Sequence, residues 1–201
     1  VSPSISYGSG TDVNGANRSR NWIYVNVSVT ETNEANITFS LWNSTSLVNS
    51  SLYTNRQRTI NWTGLADGSY TYSVAVADRV NHFNSTGTYS MLIDTVVPTL
   101  IVYSPLDFNS NGLYEGNSIY FNISSQCCLS SCKLSLDDWA TNYTLSKLNS
   151  TYFYSTDVTL SEKQYTAKFW CVDVADNVNN STEVTFTVAN PPELIINSTE
   201  W

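Results

Sequence analysis

Asparagine followed two residues later by serine or threonine is the most frequent chemically suggestive pattern in this chain. It occurs at Asn17, Asn26, Asn36, Asn43, Asn49, Asn61, Asn84, Asn122, Asn142, Asn149, Asn179, Asn180 and Asn197. The amide nitrogen in such a triplet is the acceptor for an N-linked sugar. A chain so rich in Asn, Ser and Thr forms some triplets by composition alone, and any single one reads as a plain surface Asn. The thirteen together carry more weight because of where some of them fall. Asn26 lies out of phase with Ile23, Val25 and Val27, and Asn122 lies out of phase with Ile119, Phe121 and Ile123. In a strand, that puts the amide on the face opposite the apolar side chains. The pattern predicts sugars on solvent-facing positions, and hence an exported protein at the cell surface or outside it. The chain begins at Val1 without a signal-like segment, which reads as a mature product or a piece of something longer.

Four cysteines, Cys127, Cys128, Cys132 and Cys171, form the second chemical set. An exported chain is expected to oxidise them to two disulfides. A bond between the adjacent Cys127 and Cys128 is strained, so Cys171 is expected to pair with Cys128 or Cys132, tying the loop between the second and third strands to the core. The rival is a four-thiolate metal site, but the spacing lacks the paired C-x2-C knuckles of zinc sites.

The remaining candidates read more simply. His82, the sole histidine, sits in a turn after Asp78, and neither a G-x-S-x-G elbow nor an H-E-x-x-H helix occurs, so no catalytic set is assigned. Asp137-Asp138 stands at a strand end and reads as a solvated turn. Asp173, Asp176 and Asn177, or Asp94 and Asp107, offer oxygen ligands for calcium, yet their spacing matches no calcium loop. The plainer reading is a hairpin whose Asp caps backbone N–H groups, and no cofactor is expected. Among the aromatics, Trp42 is out of phase with Leu41 and Phe39 and is the better sugar-stacking candidate, whereas Trp62 shares the phase of Ile60 and reads as core. A net charge of −8 with nine scattered Lys and Arg gives no footprint for nucleic acid. No apolar run approaches the ~20 residues of a membrane span.

Two near-copies of one pattern must position these residues. The stretch 65–78 has Tyr70, Tyr72, Val74 and Val76 alternating with small or polar residues after a Gly-containing turn, and 165–173 repeats it 95 residues later. Ile23 to Ser28 answers to Ile119 to Ser124, and Pro3, Pro98 and Pro192 each open a strand-like segment. Within the first repeat, strands are expected near 3–7, 22–29, 36–42, 58–62, 70–78 and 88–94, with a weakly patterned stretch at 46–53. Roughly seven short strands without helical periodicity predict two packed antiparallel sheets. The fold class is therefore all-β, with two tandem sandwiches over 1–95 and 96–190 and an extra strand in 191–201. Val96-Val97-Pro98 is short and stiff, which predicts domains set end to end.

Leu65-x-Asp67-Gly68-x-Tyr70-x-Tyr72 resembles the sixth-strand approach of immunoglobulin-like and fibronectin-type domains. Asp173-Val174-Ala175-Asp176-Asn177 is similar to the D-x-x-G-N hairpin of the immunoglobulin-like repeats in bacterial and archaeal surface proteins, and Asp94-Thr95-Val96-Val97-Pro98 to their D-T-x-x-P junction. The resemblance implies an immunoglobulin-like sandwich, a Tyr70 hydroxyl bonded back to the upstream chain, and an extracellular spacer, adhesive or polymer-forming role. Asp176 and Asn81 stand where that family usually has Gly, and both are expected in the left-handed region.

The third proline-led segment carries Leu194, Ile195 and Ile196 and has no domain behind it in this chain. A lone apolar strand does not stay folded in water. Two expectations follow: donation of the strand to a second copy, giving a homopolymer, or the opening of a further repeat in a longer stalk. The sequence thus predicts a subunit of an extracellular filament or array, with an adhesin that holds a glycan or cell-surface ligand as the alternative.

Overall fold

The structure is a computed structural model that describes residues 1–105 and 113–189. Asp107, Leu194, Ile195, Ile196 and Asn197 lie outside the described residues. The chain divides into two compact units between Val96 and Val97, each with its own apolar core. No helix among the described residues is long and apolar enough to cross a membrane.

In the first unit the strands are β1 (Ser4–Tyr7), β2 (Ala16–Arg18), β3 (Trp22–Thr30), β4 (Glu34–Asn43), β5 (Leu47–Tyr53), β6 (Thr59–Thr63), β7 (Gly68–Asp78), β8 (Phe83–Ser85) and β9 (Tyr89–Ile93). They form one sheet in the order β1-β3-β6 and another in the order β2-β9-β7-β4-β5, with β8 paired to the far end of β7. Alternation decides which side chains meet between the sheets. Ile23, Val25 and Val27 of β3 face Ile37, Phe39 and Leu41 of β4 and Tyr70, Tyr72, Val74 and Val76 of β7, all buried. Trp62 closes this core, as its phase predicts. Strand β5 lies within the weakly patterned stretch 46–53. Among the described residues it pairs only with β4, so Leu47, Val48 and Leu52 remain exposed and no apolar period is imposed on it.

The second unit contains β10 (Leu100–Ser104), β11 (Leu113–Glu115), β12 (Ser118–Ile119), β13 (Asn122–Ser125), β14 (Leu129–Ser135), β15 (Tyr143–Thr144), β16 (Ser146–Lys147), β17 (Tyr152–Tyr154), β18 (Val158–Thr159), β19 (Lys163–Asp173) and β20 (Val178–Ala189). Its sheets run β10-β13-β17-β16 and β11-β20-β19-β14-β15, with β12 paired to β18. The plan is that of the first unit with three strands broken; the counterpart of β6 is divided into β17, which pairs with β13, and β18, which pairs with β12. The counterpart of β3 is interrupted at Phe121, whose N–H donates to the Ser155 hydroxyl at 2.8 Å. The counterpart of β5 is split so that β15 joins β14 while β16 joins β17.

Candidate functional site

The cysteines form one disulfide, between Cys132 and Cys171. They are direct register partners on β14 and β19, and their Cα atoms lie 4.1 Å apart. The bond therefore joins neighbouring strands of one sheet. Cys132 is one of the two partners expected for Cys171, but because it lies within β14 the bond does not tie down the preceding loop, which corrects that expectation. Cys127 and Cys128 are chain neighbours in the turn before β14. That turn is held instead by the Val174 N–H, which donates to the Cys128 carbonyl at 3.1 Å.

The two Asp-led hairpins are near-identical in construction. In the second unit Asp173 is fully buried. Its Oδ1 accepts the N–H groups of Ala175 and Asn177 at 2.8 and 2.9 Å, and its Oδ2 accepts the Asn177 Nδ2 at 2.9 Å. In the first unit Asp78 Oδ1 accepts the N–H groups of Val80 and His82, both at 2.9 Å, and His82 Nδ1 lies 2.9 Å from Asp78 Oδ2. His82 thus takes the place of Asn177. Asn81 (φ 64°) and Asp176 (φ 71°) occupy the left-handed region expected of them. Both carboxylates are engaged by their own turns, and among the described residues no group of three His, Cys, Asp or Glu side chains is placed to hold a metal.

Burial pushes the Asp78 carboxyl up, but the His82 N–H, the His82 ring and the Val80 N–H outweigh it and hold it below the ordinary carboxylate value. A folded-state pKa depressed in this way adds stability above the unfolded value, about 4, and that stability is lost as pH falls through the folded value. The first hairpin is therefore expected to be intact from neutral pH to about pH 4 and to loosen below it. An NMR titration of the Asp78 carboxyl carbon checks this: a midpoint at or above that of an unfolded peptide contradicts it.

The other candidates are held by ordinary contacts. Asp137 Oδ1 accepts the Thr141 N–H at 2.8 Å and the Ser135 hydroxyl at 2.9 Å, and Asp138 pairs with Lys168 at 2.7 Å in an exposed turn. The Tyr70 hydroxyl donates to the Ala66 carbonyl at 2.9 Å, as the resemblance implied. In the second unit the matching Tyr165 hydroxyl lies 3.1 Å from Ser161 Oγ. Trp42 is half-buried on the outer face of its sheet. Trp62 is turned inward, its Nε1 donating to Asn49 Oδ1 at 3.0 Å.

The glycan acceptors separate by environment. Asn43, Asn61, Asn84, Asn142, Asn149 and Asn180 are exposed, Asn17, Asn26, Asn36, Asn49 and Asn122 are half-buried, and Asn179 is buried. The solvent-facing placement of Asn26 is only half realised. The loop after β1 folds over it, so that its Nδ2 donates to the Ser9 carbonyl at 2.9 Å and its backbone exchanges hydrogen bonds with Thr11 Oγ1. Asn122 Oδ1 is likewise buried, without a hydrogen-bond partner among the described residues.

Several contacts were not legible beforehand. Asp12 gathers Arg18 and Arg20, and Arg20 lies 3.7 Å above the centre of the Trp22 ring, covering a face a ligand would use. Arg58 Nη1 donates to the buried Glu34 at 3.0 Å. Asn84 and Asn179 each donate through Nδ2 to a proline carbonyl, Pro3 at 3.0 Å and Pro98 at 2.9 Å. Aligning the two repeats would have exposed this last coincidence, since both pairs are 81 residues apart.

Paired sheets, a tyrosine hydroxyl bonded to the chain four residues upstream and an Asp-capped hairpin define a tandem of immunoglobulin-like sandwich modules. No family model and no curated protein matches the sequence. Among solved structures, a marsupial T cell receptor is similar over 94% of this chain and 74% of its own, with a TM-score of 0.56 at 11% identity. That likeness shows the fold alone. The Clostridium thermocellum CbhA fibronectin(III)-like modules cover 93% of this chain and 95% of their own at 15% identity and a TM-score of 0.48. The FN1-FN3 domains of chicken CNTN1 cover 94% and 68% at 10% identity and a TM-score of 0.40.

Proposed function

We propose that the chain is a structural, non-enzymatic subunit of an N-glycosylated extracellular filament or surface array, joined to further copies by strand addition. The observation that carries the reading is the outer edge of β5, which pairs with β4 alone among the described residues. This strand is seven residues long, has no charge and no proline, and exposes Leu47 (53%) and Leu52 (62%). Soluble proteins usually interrupt or charge such an edge because its unpaired N–H and C=O groups recruit another strand. The second unit does so: its counterpart is split and bears Lys147.

The segment 193–201, with Leu194, Ile195 and Ile196, is the proposed donor. In the first unit the β1 position is filled by the chain's own Ser4–Tyr7, so an incoming strand would extend a sheet rather than fill a gap. The disulfide and the abundance of sugar acceptors support an oxidising, extracellular setting. An adhesive role has its own support in the outer face of the β10-β13-β17 sheet. There Tyr103 and Tyr154 are exposed, and the Tyr103 and Tyr152 rings lie 6.2 Å apart, a surface on which a sugar ring could stack.

Electron microscopy and sedimentation of the purified chain separate the readings. Helical polymers are expected, and both deletion of 193–201 and Ser50→Lys, which places an ammonium on the β5 edge, are expected to abolish them. Polymers that survive both changes contradict strand addition at β5. Isolated particles from the unaltered chain favour the adhesive module.

A further inference from the structure

Asn84 and Asn179 occupy one position of the repeat, and so do Pro3 and Pro98, the residues that lead into β1 and β10. Each Asn reaches across its sandwich from the strand after the Asp-led hairpin to the proline carbonyl. Both prolines are buried. A buried carbonyl must find a donor, and the asparagine amide supplies it.

The third residue of the Asn84 triplet is also built in. Thr86 is buried; its Oγ1 accepts the Val74 N–H at 3.0 Å while its own N–H donates to the Val74 carbonyl at 2.9 Å. Asn179 is only 9% exposed, and its Oδ1 accepts from the Ser181 N–H at 3.2 Å and from Thr182 Oγ1 at 3.1 Å. Nδ2 and Oδ1 of Asn179 are thus both engaged inside the domain, and a sugar on Nδ2 would need a path to solvent that a buried side chain lacks. The next residue, Asn180, opens an overlapping triplet and is exposed.

We propose that Asn84 and Asn179 are clamps that fasten the first strand of each sandwich, and that in the folded protein Asn180, not Asn179, carries the sugar of the overlapping pair. In the modification, Asn180 Nδ2 loses one hydrogen as a proton and bonds to C1 of a sugar delivered by a sugar-phosphate donor. The C1–O bond of the donor breaks, and its phosphate leaves with the electron pair. The choice of Asn180 rests on the proposed export and N-glycosylation; the clamps rest on the hydrogen bonds alone.

The test has two arms. The full chain is secreted from a eukaryotic host that attaches N-glycans, and in the folded fraction sugars are released enzymatically in heavy-oxygen water, so that each occupied Asn becomes a labelled Asp. The label is expected at Asn180 and not at Asn179, and Asn180→Gln should leave that peptide unlabelled. In the second arm, amide hydrogen exchange is followed in β10 for Asn179→Asp and in β1 for Asn84→Asp. Each change removes the donor while preserving side-chain size, and exchange should quicken about tenfold in the strand that loses its clamp. Label on Asn179, or unchanged exchange in both variants, overturns the proposal. Label at none of the sites overturns the glycosylated reading and the choice of Asn180 with it, while the exchange arm still decides the clamps. Should Asn179→Asp fail to fold, Asn84→Asp, at an exposed position, supplies that answer.

Discussion

Replacing Cys132 and Cys171 together by alanine is expected to destabilise the second sandwich by about 4 kcal/mol and to leave the first as it is. The bond closes a loop with a sequence separation of 39. In the chain-entropy description, releasing a loop of that length returns roughly 13 cal/mol/K to the unfolded chain. The two positions are register partners on adjacent strands, so the folded state keeps its β14–β19 ladder without the bond. Both side chains are fully buried in the core cluster of that unit, so the small cavities left by alanine add to the loss. Urea unfolding can separate the domains, because Trp139 and Trp170 report on the second and Trp22, Trp42 and Trp62 on the first. The outcome is a large shift of one transition. Equal movement of both transitions, or of neither, would show that the bond does not act within one domain. A reducing agent applied to the unaltered chain should reproduce most of the shift.

Asp173→Ala is expected to cost about 4 kcal/mol, again in the second sandwich alone. The carboxylate accepts hydrogen bonds from the backbone of Ala175 and Asn177 and from the Asn177 side chain, and all three residues are buried. Alanine takes that acceptor from three donors at once, in a place water reaches poorly. Leaving a buried donor unsatisfied costs about 1–3 kcal/mol each, and three donors in the lower part of that range give the stated loss. Asp173→Asn is the discriminating control. It keeps a carbonyl oxygen for the two backbone N–H groups but turns an NH2 towards the Asn177 amide, so it should recover about half of the loss. If thermal unfolding shows Asp173→Ala and Asp173→Asn equally mild, the hairpin is set by its backbone and not by the carboxylate. Asp78→Ala should weigh less than Asp173→Ala, because His82 is exposed and water can replace the lost acceptor.

Much of the scaffold was legible because its signals are local. The alternation of Tyr70, Tyr72, Val74 and Val76 places them on one face whatever the strand pairs with, and β7 buries that face. The Asp-led hairpins, the left-handed Asn81 and Asp176 and the Tyr70 corner each involve residues within about four positions of one another, so their chemistry could be read from order alone. Strand β5 was harder. An edge strand has one partner, and Leu47, Val48 and Leu52 stay exposed, so no alternation marks it. Asn26 misled in the opposite direction: its phase within β3 is polar, but the segment that covers it comes from residues 8–11, which a period cannot reveal.

Composition and period two in the amino-acid order determined that this protein is a pair of all-β sandwiches, with Asp-capped turns and many candidate sugar acceptors. Only the tertiary structure decided which cysteine meets Cys171, which strand edge is left open among the described residues, and which asparagines are committed to a proline carbonyl 81 residues away. The reason is physical. Side-chain alternation and turn capping are set by each residue and its near neighbours, whereas a cross-strand partner is set by register. Register emerges only when whole strands align their apolar faces, and it brings together atoms that chain order leaves far apart.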